Sequence, residues 1–184
     1  MTTTTRCAAA VVAVSVFWAA AGRAQDVTEP SLKAAFIYNF AKFTEWPAEG
    51  LPVAAAFNAC VLGDPAIGDA LERSVKGRQL SGHAITVTRL PIDGPLRSCH
   101  LLYLSGVTST QIAAIAATLR GLPVLTIGDA DDFSHLGIAH IFVENGKMRF
   151  NLNLELAKRS RLQLSSKLLA LAAHVHDGPA AAVR

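Results

Sequence analysis

Between Phe57 and Ile127 the chain alternates short apolar runs with stretches of helical periodicity, and that alternation leaves few folds open. Phe57 to Leu62 is an apolar run of strand length. The turn Gly63-Asp64-Pro65 follows, then a helical pattern in Ile67, Leu71 and Val75 that Gly77 closes. Ala84 to Leu90 sets Ile85 and Val87 against Thr86 and Thr88, the alternation of a β-branched strand. Cys99 to Leu104 reads as another strand. Ser109 to Arg120 is a helix carrying Ile112, Ile115, Ala116 and Leu119, and Pro123 to Ile127 is a further strand. Strand and helix in alternation imply an α/β fold: a mostly parallel sheet with helices on both faces.

The flanks add to this sheet. Thr28-Glu29-Pro30 offers a cap, an acid and a first-turn proline, and Leu32, Phe36, Phe40 and Phe43 follow at helical spacing. This N-terminal helix should stop by Trp46, because Pro47 disfavours helical geometry in the residue before it. On the C-terminal side, Ile138 to Val143 and Lys147 to Leu152 flank Asn145-Gly146. Asn-Gly favours a type I′ turn, which predicts a β-hairpin. Leu154 to Arg159 is a short helix, and Leu162-Gln163-Leu164 is briefly extended. Ser165 can cap a last helix through Leu171. His174 to Arg184 reads as a loose tail. No internal repeat or linker divides residues 25–173, so they form one domain.

Residues 1–24 read as a secretory signal. Met1 to Arg6 is polar with one positive charge, Ala8 to Ala21 is apolar, and Gly22-Arg23-Ala24 places small residues where a signal peptidase inspects them. The apolar run is about 14 residues, short for a membrane span, with an uncleaved anchor as the alternative. Cleavage puts the mature domain in the periplasm. It also removes Arg6 and Arg23, so Lys+Arg falls from 17 to 15 against 14 Asp+Glu. A net charge near +1 with no basic stripe argues against a nucleic-acid partner.

Cys7 precedes the apolar run and leaves with the leader, so Cys60 and Cys99 remain. Both lie on strand-like segments in an oxidising compartment, where they either pair or stay as two buried free thiols. A catalytic cysteine fits poorly. The nearby base His100 should point to the opposite face of the strand from Cys99.

Catalytic and cofactor signatures are weak. Gly63-Asp64-Pro65-Ala66-Ile67-Gly68 lacks the G-x-G-x-x-G spacing that admits a pyrophosphate, and Asp64 would repel one. No P-loop or nucleophile-elbow motif occurs. His174, His176 and Asp177 could ligate zinc or copper, but an i, i+2 pair on a tail has no fixed geometry, and solvated residues are expected. Asp129, Asp131 and Asp132 lack the downstream glutamate of a calcium loop and read as a solvated turn. His83, His100, His135 and His140 are dispersed singly. The expectation is no cofactor and no metal. One candidate ligand site remains, at the start of the last helix. There Ser165, Ser166 and Lys167 would present donors to a small anionic ligand, with Gln163 and an aromatic wall from Trp46. The plainer reading is that Ser165 only caps its helix.

The run from Leu32 through Phe36-Ile37-Tyr38-Asn39-Phe40 to Thr44-Glu45-Trp46-Pro47 resembles the opening helix of the YfiR-like family of exported bacterial proteins. Cys60-Val61-Leu62-Gly63, the Cys99 strand, Gly121 to Ile127, Phe150-Asn151-Leu152-Asn153 and Ser165 to Leu169 match in order. The resemblance implies a small periplasmic α/β domain that represses an inner-membrane diguanylate cyclase by binding its periplasmic part, so holding down cyclic-di-GMP and biofilm behaviour. It also implies that Cys60 pairs with Cys99. The family's founding member has a second cysteine pair, for which this sequence has no cysteines. The expected function is therefore a non-catalytic binding and regulatory module. A periplasmic small-ligand-binding or carrier accessory is the alternative, and a homodimer is compatible with either.

Overall fold

The computed structural model describes residues 28–178, so the expected signal peptide lies outside the described residues. Helix α1 (Glu29–Lys42) begins where Thr28 Oγ1 accepts the Ser31 N–H, with Pro30 in its first turn, and buries Ala34, Ile37, Phe40 and Ala41. It stops at Lys42 because the next residues leave to pair elsewhere. Strand β1 (Thr44–Glu45) runs antiparallel to β9 (Gln163–Leu164), with Thr44 opposite Leu164 and Glu45 opposite Gln163.

The alternating region folds as its periodicity implies. It comprises β2 (Phe57–Leu62), α2 (Pro65–Val75), β3 (Gln79–Leu80), β4 (His83–Leu90), the 3₁₀ turn Leu96–Ser98, β5 (Leu101–Leu104), α3 (Ser109–Thr118) and β6 (Leu125–Gly128). Asp64 caps α2 by accepting the Ala66 N–H, and Thr108 and Gln111 form a reciprocal capping box on α3. The short α4 (Phe133–Leu136) leads into the hairpin of β7 (Ala139–Glu144) and β8 (Lys147–Asn153). Asn145 and Gly146 turn it with φ of 51° and 71°, the left-handed pair that a type I′ turn requires. The chain then forms α5 (Leu154–Arg159), β9, α6 (Ser166–Leu171) and β10 (His174–His176).

The main sheet has the order β10-β8-β7-β6-β5-β2-β4-β3. Its five central strands, β4, β2, β5, β6 and β7, are parallel; β8 is antiparallel to β7 on one flank, and β3 is antiparallel to β4 on the other. Strand order reverses between β2 and β5, as in doubly wound sheets of flavodoxin-like order.

Because side chains alternate along a strand, the sheet divides the core in two. Phe57, Ala59 and Val61 of β2 join α1 and α2 on one face, where Ile37, Phe40, Ile67 and Leu71 pack. Cys60 and Leu62 of the same strand join Leu96, Ile112, Ile115 and Phe133 on the other. A strand buried on both faces needs apolar residues at nearly every position, which is why β2 shows no clean alternation.

The C-terminal boundary differs from the sequence expectation. His174–His176 is not part of a loose tail but a parallel edge strand, with His174, Val175 and His176 in register with Asn151, Leu152 and Asn153. All three residues are exposed, so they carry no burial pattern that could announce a strand.

Candidate functional site

Doubly wound sheets commonly bind ligands outside the carboxyl ends of the strands, where strand order reverses. Here that crevice lies between the ends of β2 and β5, and it is filled from within. Gly63 leaves β2 at φ +107°, so close to β5 that a Cβ would stand 1.8 Å from the Ser105 carbonyl oxygen. Beside it, three donors converge on one oxygen of Asp129, the residue following β6. Tyr103 Oη donates at 2.8 Å, Ser105 Oγ at 3.1 Å and Lys33 Nζ at 2.6 Å. Lys33 descends from α1 and also pairs with Glu29 at 2.8 Å.

The electrostatics match a closed cluster. The Lys33 and Asp129 side chains are only 13% and 15% exposed. Burial alone would lower the lysine's pKa, but its hydrogen bonds to Asp129 and Glu29 overcome that and hold it above the ordinary value. Burial, then the Asp129 charge, pushes the Tyr103 phenol far up, so it remains a protonated donor. The expectation of a solvated acidic turn is therefore corrected for Asp129, whose carboxylate is half-buried and cross-linked to α1 and β5. Asp131 and Asp132 stay exposed.

The Ser165 end of α6 does meet the first helix. The Ser165 N–H donates to the Phe43 carbonyl at 2.9 Å, which continues the β1–β9 pairing. Its hydroxyl accepts the Leu168 N–H at 3.3 Å, as an N-cap does. Trp46, however, is committed elsewhere. Its indole N–H donates to the His100 carbonyl at 3.2 Å, and its ring stands edge-on to Phe57 at 5.0 Å. Gln163, Ser166 and Lys167 are exposed, and α6 is a six-residue helix.

Cys60 and Cys99 form a disulfide with Cα atoms 5.8 Å apart, tying the middle of β2 to the segment that enters β5. Both are buried in the second core layer, at 0% and 3% exposure. His100 lies on the other side, as strand alternation requires. Its ring stacks on Phe57 at 5.4 Å, and its Nδ1 accepts the Asn58 N–H at 2.9 Å. Burial lowers the His100 pKa, and its Nδ1 accepts a hydrogen bond, so the ring is a half-buried structural histidine on the opposite side of the strand from the cystine.

Sequence reasoning missed one polar pair. His140 of β7 stands opposite Asn151 of β8, and His140 is 8% exposed. Both His140 ring nitrogens and Asn151 Oδ1 are buried without a hydrogen-bond partner. The Asn145-Gly146 turn fixes this register, so the pairing was legible once the hairpin was placed. His135 and His176 approach to 6.3 Å between ring centroids, while His174 is exposed at the sheet edge. Among the described residues no three His, Cys, Asp or Glu side chains form a group that could hold a metal. Among them, too, no helix is long and apolar enough to cross a membrane.

Parallel strands with helices on both faces, a core cystine and strand-end polar groups bonded to one another define a class. It is a small, disulfide-bridged, doubly wound α/β domain with a filled switch-point crevice. The chain belongs to the YfiR/HmsC-like family, whose model matches residues 30–173. A crystal structure of a conserved domain protein from Vibrio cholerae O1 biovar El Tor strain N16961 superposes with a TM-score of 0.52 at 12% identity. The match covers 80% of this chain and 60% of that one, and it speaks for the fold alone. Comparison with curated proteins gives no match.

Proposed function

We propose that this protein is a non-catalytic regulator that acts in the periplasm, by contact with the periplasmic part of an inner-membrane signalling protein. On the family's pattern that partner is a diguanylate cyclase, and binding holds its output down. The observation that carries this reading is family membership across residues 30–173. Two further features support it. A buried cystine suits an oxidising compartment, as does the apolar leader read in residues 1–24. The groups that could do acid–base work at the strand ends, Tyr103, Lys33 and Asp129, are bonded to one another in a half-buried cluster.

The test is genetic and chemical. In a strain expressing the membrane cyclase, deleting this protein should raise cyclic-di-GMP severalfold. The full chain should restore the low level, and a version starting at Gln25, which stays in the cytoplasm, should not. Unchanged cyclic-di-GMP on deletion, or rescue by the leaderless version, overturns the reading.

A further inference from the structure

A cavity of about 530 Å³ opens at the amino ends of β6 and β7, between α3, α4 and α5. Its size falls in the range of small-molecule sites. The floor is apolar, built from the buried side chains of Leu119, Val124 and Ile138. One wall is the alanine side of α3, where Ala113, Ala116 and Ala117 leave room that larger side chains would fill.

The rim has one sign of charge. Its permanent charges are those of Arg120 and Arg159, with the His135 ring beside them, and no aspartate or glutamate lines it. A bland reason exists for basic residues here, since α3 and α5 both end at the cavity and helix C-termini favour cations. The hydrogen bonds show that this leaves most of their capacity unused. Among the described residues Arg120 makes no ion pair and no side-chain hydrogen bond. Arg159 commits only its Nε, to Glu155 at 3.0 Å, which leaves both terminal nitrogens. A guanidinium carries five N–H donors in a planar fork that matches a carboxylate. Thr126 and Ser160 add hydroxyls to the same lining.

We propose that this cavity is a binding site for a small organic carboxylate whose apolar body lies on Leu119, Val124 and Ile138 and whose carboxylate is held by Arg120 and Arg159. The apolar floor disfavours a bare inorganic anion, which would lose hydration without a partner for most of its surface. The exposed guanidinium rim adds nothing for a neutral hydrophobe but offers a planar fork to a carboxylate. An acid with a hydrocarbon body satisfies both. The site stands apart from the Ser165 end of α6, and it does not depend on the identity of the protein partner.

The probe is 4-phenylbutyrate, titrated calorimetrically into the mature, disulfide-intact protein, with 4-phenylbutyramide as the uncharged control and sodium sulfate as the inorganic one. The acid should bind saturably, one per chain, with a Kd below about 1 mM, and the amide about tenfold more weakly or worse. Arg120→Ser together with Arg159→Ser should weaken the acid by about tenfold or more. Ala117→Trp, at an exposed helix position, should fill the cavity and abolish binding. Amide chemical shifts in the wild type locate the site without any substitution, and the acid should move Arg120, Gly121 and Ser160 most. The proposal is overturned if no saturable binding appears, or if the amide or sulfate binds as well as the acid. It is equally overturned if Ala117→Trp, folded by its thermal midpoint, binds as the wild type does, or if the shifts map elsewhere.

Discussion

His140 and Asn151 face each other across the β7–β8 pair, and neither ring nitrogen of His140 nor Oδ1 of Asn151 has a hydrogen-bond partner. Burial lowers the His140 pKa, while the charges of Asp131 and Asp129 pull weakly the other way. In the unfolded chain the same ring titrates near its ordinary value of about 6.5. As pH falls below that value the unfolded state takes up a proton that the folded state refuses, so stability declines until pH passes below the folded pKa. His100, also lowered by burial, acts in the same direction. His140→Phe keeps a flat ring against Phe142 and removes two unpartnered polar atoms. Its stability near pH 7 should lie within about 1 kcal/mol of the wild type. Its urea midpoint should fall less steeply between about pH 7 and pH 5. Parallel slopes for the two proteins would remove His140 from the pH response.

Asp129 joins three elements through one carboxylate, and its substitutions should rank by what they leave unpaired. Asp129→Ala leaves the largely buried Lys33 ammonium with Glu29 as its one carboxylate partner and takes the acceptor from the Tyr103 and Ser105 hydroxyls, so it should cost about 2–3 kcal/mol. Tyr103→Phe removes one donor and leaves the ion pair intact, so about 1 kcal/mol is expected. Chemical denaturation of the two variants measures the order. A Tyr103→Phe as damaging as Asp129→Ala would show that the phenol's bond to Asp129, not the Lys33 ion pair, supplies most of the cluster's stabilisation.

The alternation from Phe57 to Ile127 was legible because β2, α2, β4, β5, α3 and β6 each have at least four residues and show either a repeat or a continuous apolar run that burial enforces. The caps at Thr28 and Ser165 were legible because the side chain and the N–H it accepts lie three residues apart. The Asp129 cluster was not, since Lys33 and Asp129 are 96 residues apart and meet only through the packing of α1 on the sheet. The strands β1, β3 and β9 have two residues each, too few to show a period. The cavity rim combines Arg120, His135 and Arg159 from three separate segments, each an unremarkable surface residue when read alone.

The Cys60–Cys99 bridge closes a sequence separation of 39 residues. In the chain-entropy description a loop of that size contributes about 4 kcal/mol by restricting the unfolded state. Both sulfurs are buried, so a mild reductant should leave the native protein intact and act once denaturant opens it. Thiol titration of the denatured, non-reduced mature protein should find no free thiol. Adding reductant should shift the denaturation midpoint down by an amount equivalent to about 4 kcal/mol. Two reactive thiols without reductant, or a midpoint that does not move, would contradict the role assigned to the bridge.

Ser165 separates two explanations of the α6 start, a helix cap and an anion site. Its hydroxyl accepts the Leu168 N–H, while its own N–H is held by the Phe43 carbonyl, so two polar groups of this residue are engaged within the fold. Removing the hydroxyl in Ser165→Ala should cost about 1 kcal/mol and speed hydrogen exchange at the Leu168 amide. Aspartate is as good a cap as serine, and its charge suits a helix N-terminus. Ser165→Asp should therefore recover the stability to within a few tenths of a kcal/mol. The same aspartate would repel an anion from this end of α6, so any small acid that binds there would be lost from Ser165→Asp while stability is kept. Full stability in Ser165→Asp with unchanged binding of small acids by the protein identifies Ser165 as a cap alone. A stability loss that aspartate fails to repair would mean that the hydroxyl does more than accept the Leu168 N–H.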